Sequence, residues 1–221
     1  MKQQPDYTAI NTFYASRYKQ WGYSPKSLGW DKGNQQVRFD VLTSQYSFEQ
    51  KSILDIGCGF GDLLDTISKK ASQFDYTGID LSEDFIKKAK QLHPQPHCRF
   101  FTEDILTFSP QRSFNYAIAS GTFNLMLAGV DQYNYIEEVI KKTLQICTDG
   151  FAFDFLSDKV DYRKEETFHF SPEKLLSIAY KYSRNVMLRN DYMPFEFSLF
   201  VFNDDSFEKY DTLFCRYKNQ K

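Results

Sequence analysis

Three glycines separated by single residues, Gly57, Gly59 and Gly61, follow directly on the apolar run Ile53-Leu54-Asp55-Ile56. A strand that runs into glycines and then into a helix brings bare backbone close to a nucleotide-like ligand, with no Cβ in the way. The spacing departs from the dinucleotide fingerprint G-x-G-x-x-G, which would need glycine where Asp62 stands. Asp55 and Asp62 bracket the turn. Carboxylates there repel a pyrophosphate seated on the helix N-terminus. A cationic ligand without a phosphate is tolerated by acids placed there. Asp62 also stands where a helix cap belongs.

Two further acids extend the pattern. Asp80 ends a second apolar run, 19 residues beyond Gly61, and a carboxylate at that point can accept from both hydroxyls of a ribose. Asp104 follows a third run and could accept from an adenine exocyclic amine. Singly, either acid reads as a turn or cap residue. Together they fall after successive strands, on one edge of a sheet.

The elements that must position these groups alternate. Strands are predicted over Ser52–Ile56, Phe74–Asp80, Arg99–Thr102, Phe114–Ser120 and Phe151–Leu156. Helices are predicted over Asp62–Ser72, from the Ser82 N-cap to Pro94, over Gln132–Cys147 and over Pro172–Tyr182. Asn185–Leu188 and Glu196–Phe202 read as a closing strand pair. Such alternation implies a mostly parallel, doubly wound α/β sheet with helices on both faces. Residues 35–47, with Val37, Val41 and Leu42 at helical spacing, form a helix ahead of the first strand. Residues 1–34 form a helical and loop lid, with a short helix from about Ile10 to Tyr18, and residues 35–221 form the main domain. Tyr14, Tyr18, Trp21 and Trp30 of the lid are placed to close over a ligand and exclude water.

Taken together, these segments resemble the class I S-adenosylmethionine-dependent methyltransferases. ILDIGCGFGDLL is similar to that family's first motif, Tyr76-Thr77-Gly78-Ile79-Asp80-Leu81-Ser82 to its second, Phe100-Phe101-Thr102-Glu103-Asp104-Ile105 to its third, and Phe114–Ser120 to its fourth strand. The resemblance implies a seven-stranded sheet of order 3-2-1-4-5-7-6 with strand 7 antiparallel. It implies S-adenosyl-L-methionine as methyl donor and S-adenosyl-L-homocysteine as product. Gly57, Gly59 and Gly61 would cradle the methionine part, Asp80 would hold the ribose, Leu81 would pack on the adenine, and Asp104 with Ile105 would read its edge. Asp55 and Cys58 in the glycine segment and Ser120 at the end of the fourth strand complete the expected cofactor shell. Arg38 could pair with the cofactor carboxylate, and Trp30 could cover it.

Methyl transfer from a sulfonium is an in-line displacement, so positioning is the main demand and no protein nucleophile is required. A base helps only where the acceptor has a proton to lose. The candidates are His169, between the fifth strand and the following helix, and Tyr192 and Glu196 in the final turn; Arg189 and Asp191 crowd the same turn. The segment Ser120-Gly121-Thr122-Phe123-Asn124 lacks the Pro-Pro-aromatic pattern of nucleobase amine methylation, and no cysteine follows a proline. A net charge of −2 offers no broad attraction to a nucleic-acid backbone. DNA is therefore not an expected partner; a small-molecule acceptor methylated on oxygen or nitrogen is. The alternatives are a non-catalytic scaffold or sensor that binds the cofactor, and an NAD-dependent oxidoreductase, which the glycine spacing disfavours.

Four dispersed cysteines, Cys58, Cys98, Cys147 and Cys215, read as reduced thiols of a cytoplasmic protein, and no His, Asp and Glu spacing suggests a metal. No stretch approaches a membrane span, and no N-terminal apolar segment suggests a signal peptide. The aromatic share of 18% is spread along the chain, which reads as core before pocket. Neither the acceptor nor the oligomeric state is encoded in any of these patterns.

Overall fold

A computed structural model describes residues 5–29, 34–203 and 213–218. Seven strands form one sheet: β1 (Lys51–Ile56), β2 (Phe74–Asp80), β3 (Cys98–Thr102), β4 (Phe114–Ala119), β5 (Cys147–Leu156), β6 (Val186–Arg189) and β7 (Glu196–Phe202), in the order β3-β2-β1-β4-β5-β7-β6. Pairings from β3 through β5 are parallel, and β7 runs antiparallel to both β5 and β6. This is the architecture expected from the sequence. The order reverses between β1 and β4, so the C-terminal ends of these strands open a crevice where an α/β sheet takes its ligand.

The helices are α1 (Thr8–Trp21), α2 (Gln35–Leu42), α3 (Leu63–Ser68), α4 (Glu83–Leu92), α5 (Gln132–Ile146), α6 (Pro172–Ala179) and α7 (Leu213–Lys218), with a 3-10 turn at Pro25–Leu28. Ser82, Asp131 and Ser171 cap α4, α5 and α6 by accepting from Phe85, Asn134 and Lys174 amides. One core cluster lies between the sheet and α5 and α6, around Ile136, Val139, Ile140, Leu175 and Phe197. The other lies between the sheet and α2, α3 and α4, around Phe39, Leu64, Ile67, Ile86 and Phe200. Phe151, Phe153 and Phe155 alternate onto one face of β5 and are fully buried, so much of the phenylalanine content is core.

Several details differ from expectation, among them α3 and α6, which end at Ser68 and Ala179 rather than Ser72 and Tyr182. Val37 of α2 is 41% exposed, and Arg38 takes the buried face instead; its partners, given below, explain why. β5 begins at Cys147 rather than Phe151, because the ladder with β4 continues past a register shift between Phe114 and Tyr116. Gly150 permits this: a Cβ there would lie 2.2 Å from the Val201 carbonyl oxygen of β7. Asp62 occupies the position before α3 without any side-chain capping bond; it accepts from Gln35 Nε2 at 3.2 Å. Helix α7 had no counterpart in the sequence reading.

Candidate functional site

The main pocket sits over the C-terminal ends of β1, β2 and β4 and under α1. Its floor is the glycine turn. Gly57 and Cys58 amides both donate to the Ile79 carbonyl, folding the turn back on β2, and Gly61 N–H closes it on Cys58 O at 2.8 Å. All three glycines have positive φ, of 68°, 55° and 84°, which only glycine adopts without strain. A Cβ on Gly57 would lie 2.5 Å from Thr122 Oγ1, and one on Gly59 would lie 2.8 Å from Leu28 Cδ2. Thr122 and Leu28 both wall the pocket, so bare backbone is what the floor exposes. That is the surface a flexible ammonium and carboxylate group needs for close approach. Gly61 serves otherwise: it does not line the pocket, and a Cβ there would meet His93 and Phe100 at 3.0 Å.

Three acids stand around this floor. Asp55 is 4% exposed and accepts a short hydrogen bond from the Tyr76 hydroxyl. Burial pushes its carboxyl up to about 7, against the pull of the Tyr76 bond and with help from the Asp80 and Asp62 charges. Asp80 accepts from Gly59 N at 2.9 Å and from Ser82 N at 2.8 Å, which ties the turn to the end of β2. Burial raises its pKa and these amides oppose the rise. A carboxylate has about four acceptor sites, so Asp80 keeps capacity for ligand hydroxyls. Asp104 accepts from Leu106 N and from the Tyr7 hydroxyl, both at 2.9 Å.

The pocket also contains the expected residues Gly57, Cys58, Gly59, Leu81, Ile105 and Ser120. Ser120 Oγ donates to Asp154 Oδ2 at 2.9 Å, and Gly121 N donates to Asp154 Oδ1 at 2.6 Å, so Asp154 of the neighbouring β5 holds the end of β4. Thr122 Oγ1 donates to the Ile56 carbonyl at 2.7 Å and pins the next step of the loop to β1. Trp30 lies outside the described residues.

Other sequence candidates lie elsewhere. Arg38 does not reach the pocket; its guanidinium donates to both carboxylate oxygens of Glu196, with Nε to Oε2 at 2.5 Å, and lies 4.0 Å from Asp154. A buried arginine between two buried carboxylates is held there by charge pairing, which is why it turns inward from α2. Glu196 is thereby committed to the same ion pair. Tyr192 shares a 2.8 Å hydrogen bond with Ser198 and also lies off the pocket. His169 has Nδ1 2.7 Å from the Ser157 carbonyl and Nε2 3.1 Å from Thr167 Oγ1, so both nitrogens serve the loop between β5 and α6.

Sequence reasoning missed much of the roof and far wall. Tyr7, Ile10 and Asn11 join Tyr14 on one side of α1, at the spacing of one helix face. An antiparallel bridge from Asp6 to Ala128 draws the start of this segment toward the loop after β4. Phe123, Leu125, Leu127, Tyr135 and Phe170 form the wall beyond β4. Gln132 holds this loop by donating to Leu127 O and accepting from Leu127 N. Leu125 bridges to Thr167, so the two loops above β4 and β5 support one another. Among the described residues no group of three or more His, Cys, Asp or Glu is arranged to hold a metal ion.

Sheet order, glycine turn and strand-end acids define a Rossmann-like methyltransferase class of protein. A family model described as a methyltransferase domain matches residues 54–150. The Mycobacterium tuberculosis protein named "Putative methyltransferase Rv1506c" is 31% identical over 156 residues, covering 68% of this chain and 92% of that protein. The chain therefore belongs to the methyltransferase family. The malonyl-[acyl-carrier protein] O-methyltransferase of Priestia megaterium is 27% identical over 129 residues, which cover 58% of this chain and less than half, 42%, of that enzyme. Among solved structures, magnesium protoporphyrin IX methyltransferase from Synechocystis with bound S-adenosylhomocysteine superposes with a TM-score of 0.67. It is 12% identical and matches 90% of this chain and all of that one. The N-methyltransferase NodS from Bradyrhizobium japonicum, also with S-adenosylhomocysteine, gives 0.61 at 14% identity over 90% of this chain and 98% of that one.

Proposed function

We propose that the chain binds S-adenosyl-L-methionine in this pocket and transfers its methyl group directly to oxygen or nitrogen of a small molecule, releasing S-adenosyl-L-homocysteine. The observation that carries the reading is the convergence in one pocket of a bare glycine floor, Asp55, Asp80 and Asp104. The glycine turn would hold the methionine part, Asp80 the ribose, and Asp104 with the Ile105 backbone the adenine edge. The donor supplies an activated methyl carbon; the protein's part is to hold the acceptor in line with it, about 3–3.5 Å away, and to keep water out. Residues 1–34 act as the lid in this account, and residues 35–221 as the transferase domain.

The acceptor would enter on the side of Phe123, Leu125, Leu127 and Phe170, which offers a mostly apolar seat. With His169, Tyr192 and Glu196 held in other contacts, none of the three is assigned as a base. Cys58, Cys98 and Cys147 form no disulfide, which suits a protein of the reducing cytoplasm. Among the described residues no helix is long and apolar enough to cross a membrane.

The test is turnover. The protein is incubated with S-adenosylmethionine and a panel of phenols, alcohols, amines and carboxylic acids, and S-adenosylhomocysteine formation is followed. Acceptor-dependent release from a phenol, alcohol, amine or acid supports the proposal. Tight donor binding with no release across the panel favours a non-catalytic cofactor-binding protein.

A further inference from the structure

The N-terminal helix meets the pocket with more than bulk. Tyr14 and Tyr7 lie seven residues apart on one side of the segment, and both line the pocket that holds the strand-end acids Asp80 and Asp104. The Tyr7 hydroxyl donates to Asp104 Oδ2 at 2.9 Å. The Tyr14 ring is fixed edge-on to Phe85 of α4, centroids 5.8 Å apart, and to its neighbour Phe13 at 5.2 Å. Tyr14 and Asp80 line the same pocket, and Phe85, against which the Tyr14 ring packs, lies in the first turn of α4 just after Asp80 and the Ser82 cap. Burial raises the Tyr14 pKa, the Asp80 charge adds to the rise and Arg17 opposes it. A tyrosine whose ring is locked in the pocket that also holds Asp80 offers a hydroxyl that can donate to a ligand atom there.

We propose that Tyr14 is a ligand-binding residue for the nucleoside, completing the ribose site from the opposite side to Asp80. The inference rests on the adenosyl-ligand reading above and adds the partner that the strand ends do not supply. The donor accounting is consistent. The Gly59 amide bonds Oδ2 of Asp80 and the Ser82 amide bonds Oδ1, with the Leu81 amide also close, and the carboxylate keeps acceptor capacity for a ribose O–H group. A ribose hydroxyl that donates to Asp80 still has free lone pairs, and the Tyr14 O–H donates to one of them. The chain Tyr14 to ribose to Asp80 leaves every polar group in it satisfied. On this account the N-terminal helix reads the sugar directly, beyond excluding water.

The experiment compares the 221-residue protein with its Tyr14→Phe variant. Calorimetry gives the affinity for S-adenosylhomocysteine, and competition against it gives affinities for adenosine and 2′,3′-dideoxyadenosine. Tyr14→Phe should weaken S-adenosylhomocysteine binding roughly 5- to 30-fold, the range of one lost buried hydrogen bond, with the melting temperature of the free protein unchanged. The preference of the wild type for adenosine over its dideoxy analogue should shrink in the variant, because the lost bond is to the sugar. A purely packing role would leave that preference intact, and equal affinity of the two proteins for S-adenosylhomocysteine would overturn the proposal. Failure of the wild type itself to bind S-adenosylhomocysteine would instead overturn the adenosyl-ligand reading.

Discussion

The replacement Asp55→Asn isolates the most strongly perturbed acid of the pocket. Asn keeps the shape and can still accept from the Tyr76 hydroxyl, so the change removes charge and little else. Asp55 titrates near 7 in the fold because it is buried, against an ordinary value of 3.8. The native state therefore holds a proton that the unfolded chain gives up, and the stability this contributes is present below about pH 4. It is lost as pH rises from there to about 7 and stays lost above. Each unit of pH in that window costs about 1.4 kcal/mol, so between pH 5 and pH 8 this group alone removes at most about 2–3 kcal/mol. Urea unfolding of wild type and Asp55→Asn at pH 5, 6, 7 and 8 reads the difference. Asp62, Asp80 and Asp154 are also shifted upward and slope the same way, but they are common to both proteins and largely cancel. The variant should gain on the wild type as pH rises and level off above 7. The opposite slope is expected for the ligand: an ammonium beside Asp55 favours the carboxylate, so wild-type affinity for S-adenosylhomocysteine should rise from pH 6 to 8, and the variant's should stay low and flat. Parallel stability curves for the two proteins would refute the assigned titration. Equal ligand affinity at pH 8 would refute a role for Asp55 beside the ammonium.

Three other outcomes are expected. Asp80→Ala should weaken S-adenosylhomocysteine binding by about 1–3 kcal/mol by calorimetry, the cost of a lost pair of charged hydrogen bonds; unchanged affinity would remove Asp80 from the ribose site. Gly59→Val combines a φ of 55° with a Cβ 2.8 Å from Leu28, a side-chain contact that can shift. The protein should still fold, as judged by circular dichroism, and lose detectable ligand binding. Arg38→Ala should lower unfolding free energy by about 3–5 kcal/mol, because Glu196 and Asp154 are then left buried and unpaired. A loss under 1 kcal/mol would show that the pair contributes little.

What could be read from the sequence is local. Ile53–Asp62, Asp80 and Asp104 each sit where a strand ends, and hydrophobic pattern with glycine spacing fixes strand ends well. The sheet order came only from the motifs' resemblance to a family. Residues whose use depends on distant partners are not legible in this way. Arg38 resembles a surface or ligand-facing arginine until the fold brings Glu196 to it across 158 positions of chain. Tyr7 gains its meaning from Asp104, 97 residues away. Gly61 shares the spacing of the other two glycines, yet faces His93 and Phe100 rather than the pocket. The far wall was hidden for another reason: Phe123, Leu125 and Phe170 lie on loops above β4 and β5, where neither helical nor strand periodicity marks which side faces inward.

The central claim is that this pocket takes an adenosyl sulfonium ligand and not a dinucleotide. Calorimetric titration of the wild-type protein with S-adenosylhomocysteine, and separately with NAD, tests it most directly. The account predicts saturable one-to-one binding of S-adenosylhomocysteine, competed by S-adenosylmethionine, and no heat from NAD. Saturable binding of NAD with no response to S-adenosylhomocysteine would contradict it.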